Sequence, residues 1–164
     1  MGRPARFFII SAILFCCPQN PASAQDYNKI FRTKYTTIHY ERDEDIGNFT
    51  WRLGGQRLEL PQDTALANSR IDKVIERVEA ILDMQPKNFN VDIYLHRGKL
   101  EPNRVAYYEN RAKSIHISIE NSSDGVLAHE IAHAIVNQHF SVPPPSKVQE
   151  ILTQYVDKYL WSDY

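Results

Sequence analysis

Alternating apolar and polar residues along the chain predict a set of β-strands. Runs with a period of two, rich in β-branched and aromatic residues, are typical of strands with one buried face. Such runs occupy residues 35–41, 91–96, 104–109 and 114–119. Two more runs, 49–53 and 56–60, flank Gly54-Gly55, and two glycines accommodate the positive φ angles of a tight turn. The sequence therefore predicts a hairpin at this point.

Apolar residues that recur every three or four positions predict three helices. The longest covers about residues 63–84, and the second covers about residues 122–139. The third begins near residue 146, directly after a run of three prolines. The fold class that follows is α+β, with a mostly antiparallel sheet, one long early helix and two helices at the C-terminal end. The chain shows no internal repeat and no linker, so residues 25–164 are predicted to form a single domain.

The last predicted helix has an apolar side and a polar side. Ser146 and Gln149 have the spacing of a capping box, which predicts that the helix begins there. The apolar stripe, which is predicted to face the core, consists of Val148, Ile151, Leu152, Tyr155, Tyr159 and Leu160. The opposite stripe consists of Glu150, Thr153, Gln154 and Asp157.

The first 24 residues have the three-part layout of a secretory signal peptide. Arg3 and Arg6 supply positive charge, residues 7–17 form an apolar run, and Ala22-Ser23-Ala24 offers the small residues that a signal peptidase reads. The apolar run is too short to span a bilayer as a helix, which takes about 20 residues. We therefore expect cleavage after residue 24 and export of a periplasmic or secreted protein without a stable membrane span.

Cleavage changes the composition of the protein that remains. Both cysteines, Cys16 and Cys17, lie in the signal peptide, so the mature chain has neither a disulfide nor a thiol nucleophile. Lipidation at either cysteine is the weaker alternative, because Leu14-Phe15 is a bulky lead-in for a lipoprotein signal. Loss of Arg3 and Arg6 lowers the net charge from −1 to −3. Without a basic excess to neutralise phosphates, nucleic acid is not an expected partner.

The helix predicted over residues 122–139 contains an HExxH motif, His129-Glu130-Ile131-Ala132-His133. Two histidines four positions apart lie on one helix face, about 5–6 Å apart at Cβ, which suits two ligands of one zinc ion. Glu130 lies about 100° around the helix. At that position a carboxylate can accept a proton from a water molecule on the ion without being a ligand itself.

A catalytic zinc site needs a third protein ligand, and the chain offers two candidates. His139 has the third-histidine spacing of the metzincin motif, but Val136 stands where that motif has its turning glycine, and no methionine follows. Glu150 lies about one turn inside the next helix, and two antiparallel helices joined by the triple proline would bring it level with the histidines. Glu150 is therefore the preferred ligand, with Gln154 or Asp157 able to orient a histidine.

The segments HEIAHAIV and QEILTQYV resemble the gluzincin pattern, in which an HExxH helix is followed by a helix that carries a ligand glutamate. The order of predicted elements is similar to that of compact peptidase MA-like and minigluzincin domains. The resemblance implies a zincin-like fold, with His129, His133 and Glu150 as zinc ligands and Glu130 as the general base. It implies an exported zinc metallopeptidase that hydrolyses a peptide or protein substrate by a zinc-bound water activated by Glu130.

The resemblance also implies where a substrate lies. In zincins the strand before the active-site helix forms the cleft edge and pairs with an extended peptide, and by position this is the strand predicted over 114–119. The candidate hydrogen-bond donors to the oxyanion are Tyr107, Tyr108, His116 and Tyr155. His39 and His96 have no partner at metal-ligand spacing and are predicted to be structural, and the acidic run 43–45 is predicted to be a solvated loop.

Two further hypotheses stay open beside the metallopeptidase. The first is a non-catalytic zincin-fold module that retains zinc and binds peptides by strand addition. The small C-terminal part favours this module, whereas the intact Glu130 disfavours it, because a structural zinc site has no use for a general base. The second is a metzincin-like site with His139 as the third ligand.

Overall fold

The computed structural model describes residues 26–54, 63–100 and 104–162, so the predicted signal peptide lies outside the described residues. The strands are β1 (Lys29–Arg32), β2 (Thr36–Tyr40), β3 (Val91–His96), β4 (Ala106–Glu109) and β5 (Ser114–Ser118). The helices are α1 (Asp43–Arg52), α2 (Thr64–Leu82), α3 (Asp124–His139) and α4 (Ser146–Tyr159), and a 3-10 turn, Ile119–Asn121, precedes α3. The predicted α+β class is confirmed. None of the described helices has the length and apolar character that a bilayer span requires.

The five strands form one sheet in the order β1-β2-β3-β5-β4. The outer pairs, β1-β2 and β5-β4, are antiparallel, and the two inner pairs are parallel. The predicted cleft edge is wrong, because the strand directly before α3 is β5, which lies inside the sheet. Its Ile115 and Ile117 are fully buried, which suits an interior strand, whereas β4 has no buried residue and forms the edge next to α3.

The strands separate a helix-covered face of the sheet from an open face. On the covered face, Ile38, Ile93 and Ile115 are neighbours in register and are fully buried. Burial of each such side chain contributes about 1.5–3 kcal/mol. The helix residues of the same core include Ile71, Ile75 and Val78 of α2, and Leu127, Ile131 and Ile135 of α3. Because α3 directs this side to the core, its histidines face β4 and α4.

The predicted hairpin is wrong in its first half, and its second half lies outside the described residues. Residues 49–52 belong to α1, in which Ile46 and Phe49 are buried, as is Leu53 directly after the helix, with helical spacing. The acidic run 43–45, predicted to be a loop, forms the first turn of α1, where acidic side chains are favoured by the helix dipole. The prediction relied on the short segment around Gly54, which is typical of a turn, and missed the longer helical spacing of these apolar residues.

Asp45, the last residue of that acidic run, is buried with a tertiary partner. It is 2% exposed, and its carboxylate accepts hydrogen bonds of 2.9 Å from both Nε and Nη2 of Arg97. The backbone N–H of Arg42 donates a third hydrogen bond, at 2.8 Å. An acidic residue with these donors is part of the fold rather than of a solvated loop.

Helix α4 is rotated relative to the prediction. Its buried residues are Thr153 and Val156, with Leu160 directly after the helix, whereas Val148, Ile151 and Tyr155 of the predicted apolar stripe are between 43% and 58% exposed. The physical reason is that α4 meets α3 through polar side chains, so the side that carries Glu150 and Asp157 faces the histidines of α3 although both carboxylates stay exposed to solvent.

Candidate metal centre

Helices α3 and α4 bring three potential metal ligands together. Nε2 of His133 is 3.4 Å from Oε1 of Glu150, and Nε2 of His129 is 4.0 Å from Oε2 of the same carboxylate. One ligand atom from each residue lies within 4.8 Å of the others, so the group could hold a metal ion. Two imidazoles and one carboxylate are a donor set of catalytic zinc sites, in which three protein ligands leave one position open.

The antiparallel packing of α3 and α4 produces this arrangement. His133, in the second half of α3, contacts Gln149 near the start of α4, whereas His129, one turn earlier, contacts Asp157 near its end. Pro143-Pro144-Pro145 lies between the two helices, and α4 begins directly after it. The expectation that the chain reverses there and brings Glu150 level with the histidines agrees with this geometry.

The second ring nitrogen of each histidine faces an acceptor on α4. Oδ2 of Asp157 is 3.0 Å from Nδ1 of His129, and Oε1 of Gln149 is 3.4 Å from Nδ1 of His133. A carboxylate and an amide oxygen can only accept, so Nδ1 is the donor in each of these contacts, and Nε2, on the side of Glu150, is the nitrogen of each ring that can bind an ion. Asp157 therefore has the orienting position predicted for it, whereas the alternative, Gln154, is exposed and has no part in these contacts.

Gln149 is a site residue that the sequence interpretation missed. The capping box is wrong, because the N-cap of α4 is Pro145 and no side chain caps it. The amide nitrogen of Gln149 instead donates to the backbone carbonyl of Pro144 at 2.8 Å. Its amide oxygen accepts a 2.7 Å hydrogen bond from Asn137, one turn after His133 on α3. The sequence did contain one signal for this contact, because Asn137 is four residues after His133 and both therefore lie on one face of the helix.

Glu130 lies beside the ligand group and is directed toward β4. It is 9% exposed, and burial raises the pKa of its carboxyl group. The charge of His129, the backbone N–H of Tyr108 and the charge of Arg104 lower that pKa in part. Glu130 is not one of the three clustered ligands. A buried carboxylate with a raised pKa next to a metal-binding group is suited to accept and return a proton.

A cleft follows β4 past the ligand group and has two parts of different character. The first part has a volume of about 510 Å³, and its polar lining includes Asn110, Asn137 and Gln149. The adjoining part has a volume of about 570 Å³ and is lined by Val105, Val126, Leu160 and Trp161, among others. Both parts are bordered by Arg104, Ala106, His129 and Glu130. A larger cavity of about 640 Å³, between α2 and the end of α4, includes none of the clustered ligands among its described lining residues.

His139 is not brought into the ligand group. Helix α3 continues through His139, and its ring packs edge-on against Phe140 with ring centres 5.0 Å apart. Because Val136 is buried within the helix and forms no turn, the chain does not redirect His139 toward His133. The geometry therefore favours Glu150 over His139 as the third ligand.

Of the predicted oxyanion donors, Tyr107 and Tyr108 line the polar part of the cleft, whereas His116 and Tyr155 are not among its described lining residues. The rings of Tyr107 and His116 stack on each other at 4.8 Å, on the side of the sheet away from the helices. Tyr155 packs on Tyr159 beside α2. Tyr108 contributes its backbone N–H to Glu130 rather than its hydroxyl. Arg104, an exposed cation that borders both parts of the cleft, was missed, because a single arginine at the start of a predicted strand carries no distinctive pattern.

No family model matches the chain, and neither the curated proteins nor the solved structures include a significant match to it. The functional interpretation therefore depends on the geometry of the site.

Proposed function

We propose that the chain is an exported, zinc-dependent metallopeptidase of zincin-like fold, with His129, His133 and Glu150 as the ligands and Glu130 as the general base. One observation carries the proposal: each Nε2 faces Glu150, while each Nδ1 faces an acceptor on α4. A merely solvated polar helix face does not require two imidazoles in the same tautomer and orientation. A metal site does, because orientation of its histidines strengthens binding.

The reaction needs a proton acceptor beside the ion but outside its ligand set, and Glu130 occupies that position. Zinc, when bound by these residues, would supply a Lewis acid that lowers the pKa of a water molecule toward about 7. Glu130 takes the proton of the attacking water and delivers it to the amine nitrogen that departs. Burial, by raising the pKa of Glu130, makes the protonated form accessible for that second step.

The edge position of β4 supports an extended peptide as the substrate. Among the described strands, β4 pairs with β5 alone, and its other side borders the cleft. An edge strand presents backbone N–H and C=O groups with which an extended peptide can pair by strand addition. On β4 the N–H of Tyr108 already donates to Glu130, so the other backbone groups of the strand would pair with the peptide. Such a peptide would place a backbone carbonyl between Glu130 and the clustered ligands.

Zinc content and peptide hydrolysis, measured on the same preparations, test the proposal. We expect the mature chain to hold one equivalent of zinc. Glu130→Gln is expected to keep that zinc and to lose about 10²–10⁴-fold in hydrolysis of a fluorogenic peptide library, the range for a lost general base. His139→Ala is the matched control and is expected to retain both zinc and activity.

Four outcomes would contradict the proposal. A parent chain that takes up no zinc on reconstitution excludes the metal site, and zinc lost with His139 moves the third ligand to that residue. Unchanged hydrolysis in Glu130→Gln with zinc retained excludes the general base. A chain that holds zinc but hydrolyses no member of the library supports instead the non-catalytic peptide-binding module.

A further inference from the structure

A second histidine cluster lies on the open face of the sheet. One register row crosses all five strands through Ile30, His39, Tyr94, His116 and Tyr107. The last four rings stack with their centres 4.5, 5.0 and 4.8 Å apart and their planes within 11° of parallel. The central imidazole of the stack, that of His116, is therefore held between two tyrosine rings.

His96, at the end of β3, adds a further imidazole beside this stack, next to that of His116. Its Nε2 is 2.9 Å from Nδ1 of His116. Two N–H groups cannot face each other at that distance, so at least one of the two nitrogens directs a lone pair into the contact. Adjacent nitrogens bound to one ion at about 2.0–2.1 Å are about 3 Å apart when they subtend a right angle. The two rings thus already have the separation of neighbouring metal ligands.

An oxygen from a third segment lies against the same pair. The hydroxyl oxygen of Tyr27, which precedes β1, is 3.2 Å from Nε2 and 2.8 Å from Nδ1 of His96. The opposite nitrogen of His116, Nε2, is 3.3 Å from the hydroxyl of Ser114 and 4.0 Å from Oε2 of Glu109. Both imidazoles are half-buried, so the cluster is held in place but stays within reach of an ion from solvent.

We propose that His96, His116 and Tyr27 form a second metal-binding site, which takes a late first-row divalent cation, Cu²⁺ in preference to Zn²⁺. Imidazole nitrogens select these ions, and affinity at such sites is greatest for Cu²⁺. The two nitrogens and one phenol oxygen do not suit Ca²⁺ or Mg²⁺, which prefer carboxylate and carbonyl oxygens. The site shares no residue with the α3–α4 ligand group, so it stands or falls independently of the proposed peptidase.

Copper titration of the mature chain in which the first site is removed tests this inference. In a His129→Ala/His133→Ala background, we expect one equivalent of Cu²⁺ to bind, with an electron paramagnetic resonance spectrum that shows coupling to two nitrogens. Adding His96→Ala and His116→Ala is expected to weaken binding at least about 100-fold. His39→Ala is the matched control, because it lies in the same stacked row without facing His96, and it is expected to keep the copper.

A measurement on the background protein alone covers the case in which the four-histidine variant fails to fold. Substoichiometric Cu²⁺ is expected to broaden the ring proton resonances of His96 and His116 before those of His39 and His139. The inference is overturned if the background binds no Cu²⁺ at micromolar concentration. It is equally overturned if binding survives loss of both rings, or if His39→Ala removes the copper as fully as His116→Ala does.

Discussion

The two histidine clusters lie on opposite faces of one sheet, and they satisfy the nitrogens of imidazole in different ways. Between α3 and α4, each Nδ1 faces an acceptor on α4, and each Nε2 is left facing Glu150. On the open face, His96 and His116 contact each other directly. An ion at the first cluster meets two ring nitrogens that are not bonded to each other, whereas an ion at the second must replace the hydrogen bond between His96 and His116, with a net value of about 1 kcal/mol.

This contrast indicates that two histidines close together do not by themselves form a metal site of high affinity. The supporting acceptors fix the tautomer and the ring orientation before a ligand arrives. We therefore expect the α3–α4 cluster to bind a given ion more tightly than the open-face cluster does. It is also better suited to chemistry, because Glu130 lies beside the α3–α4 cluster and burial raises the pKa of its carboxyl group.

Loss of Glu150, the proposed carboxylate ligand, is expected to have the largest effect on the difference in metal affinity between the two clusters. Structural four-ligand zinc sites bind with apparent free energies of about 10–16 kcal/mol, so one ligand corresponds to about 2.5–4 kcal/mol, or roughly 70- to 900-fold in affinity. Glu150→Ala is expected to weaken zinc binding by that amount in a chelator competition assay, and to leave the open-face cluster unchanged. Gln154→Ala, one turn further along α4, is the control. Equal zinc affinity in the two variants would remove Glu150 from the ligand set.

Breaking the ion pair between Asp45 and Arg97 tests how much this buried contact stabilises the fold. Arg97 directly follows His96 of the open-face cluster in the chain. Removal of one partner of a buried pair costs about 3–5 kcal/mol, and because Arg97 keeps 27% of its side chain exposed we expect about 2–3 kcal/mol for Arg97→Ala. Urea unfolding measures it. Arg42→Ala, whose side chain is 61% exposed, is the control and is expected to change stability by less than about 1 kcal/mol. A comparable loss in both variants would show that the burial of Asp45 is unimportant.

The supporting acceptors are expected to have a smaller effect than the ligand itself. Residues that orient metal-bound histidines typically change metal affinity by about 10–100-fold. Asp157→Ala and Gln149→Ala are each expected to weaken zinc binding within that range, with the larger loss for Asp157, whose contact is charged and shorter. Titration with zinc at fixed pH measures both. If neither variant differs from the parent in zinc affinity, the acceptors on α4 do not strengthen metal binding, and the expected difference between the two histidine clusters has no support.

Sequence patterns were sufficient where one element determines the geometry. The HExxH spacing put His129 and His133 on one helix face, and the position of Glu150 after the triple proline predicted its return to them. Patterns failed where the answer depends on partners distant in the chain. Arg97 explains the burial of Asp45 from 52 residues away, and no local period records such a contact.

The same limit applies to the sheet and to the open-face cluster. Strand alternation predicted β3 and β5 but contains no information on strand order, so the edge was assigned to β5 instead of β4. His96 and His116 are 20 residues apart and meet because their strands are neighbours in the sheet. The apolar stripe of α4 was assigned to the core because hydrophobicity alone does not show that polar ligands require the opposite side.

The smallest expected effect concerns the start of α3 and depends on pH. Oδ1 of Asp124 is buried without a hydrogen-bond partner among the described residues, and burial raises the pKa of this carboxyl group to about 6, although the charge of Arg70 opposes the shift. In the unfolded chain the pKa is about 3.9. The folded state therefore binds the proton more tightly than the unfolded chain does. The contribution of this group to the stability of the fold is full below pH 4 and is lost as the pH rises through 6.

Asp124→Asn removes a charge that the folded state disfavours at high pH. The dipole of α3 favours the carboxylate by about 0.3–1 kcal/mol and offsets part of the gain, so we expect less than about 1 kcal/mol of stabilisation at pH 8 and none at pH 4. Thermal unfolding at the two pH values, with exposed Asp26→Asn as the control, measures the difference. A gain of equal size at both pH values would exclude titration as its cause. Zinc affinity should not change, since Asp124 is not among the residues that line the cleft or face the ligands.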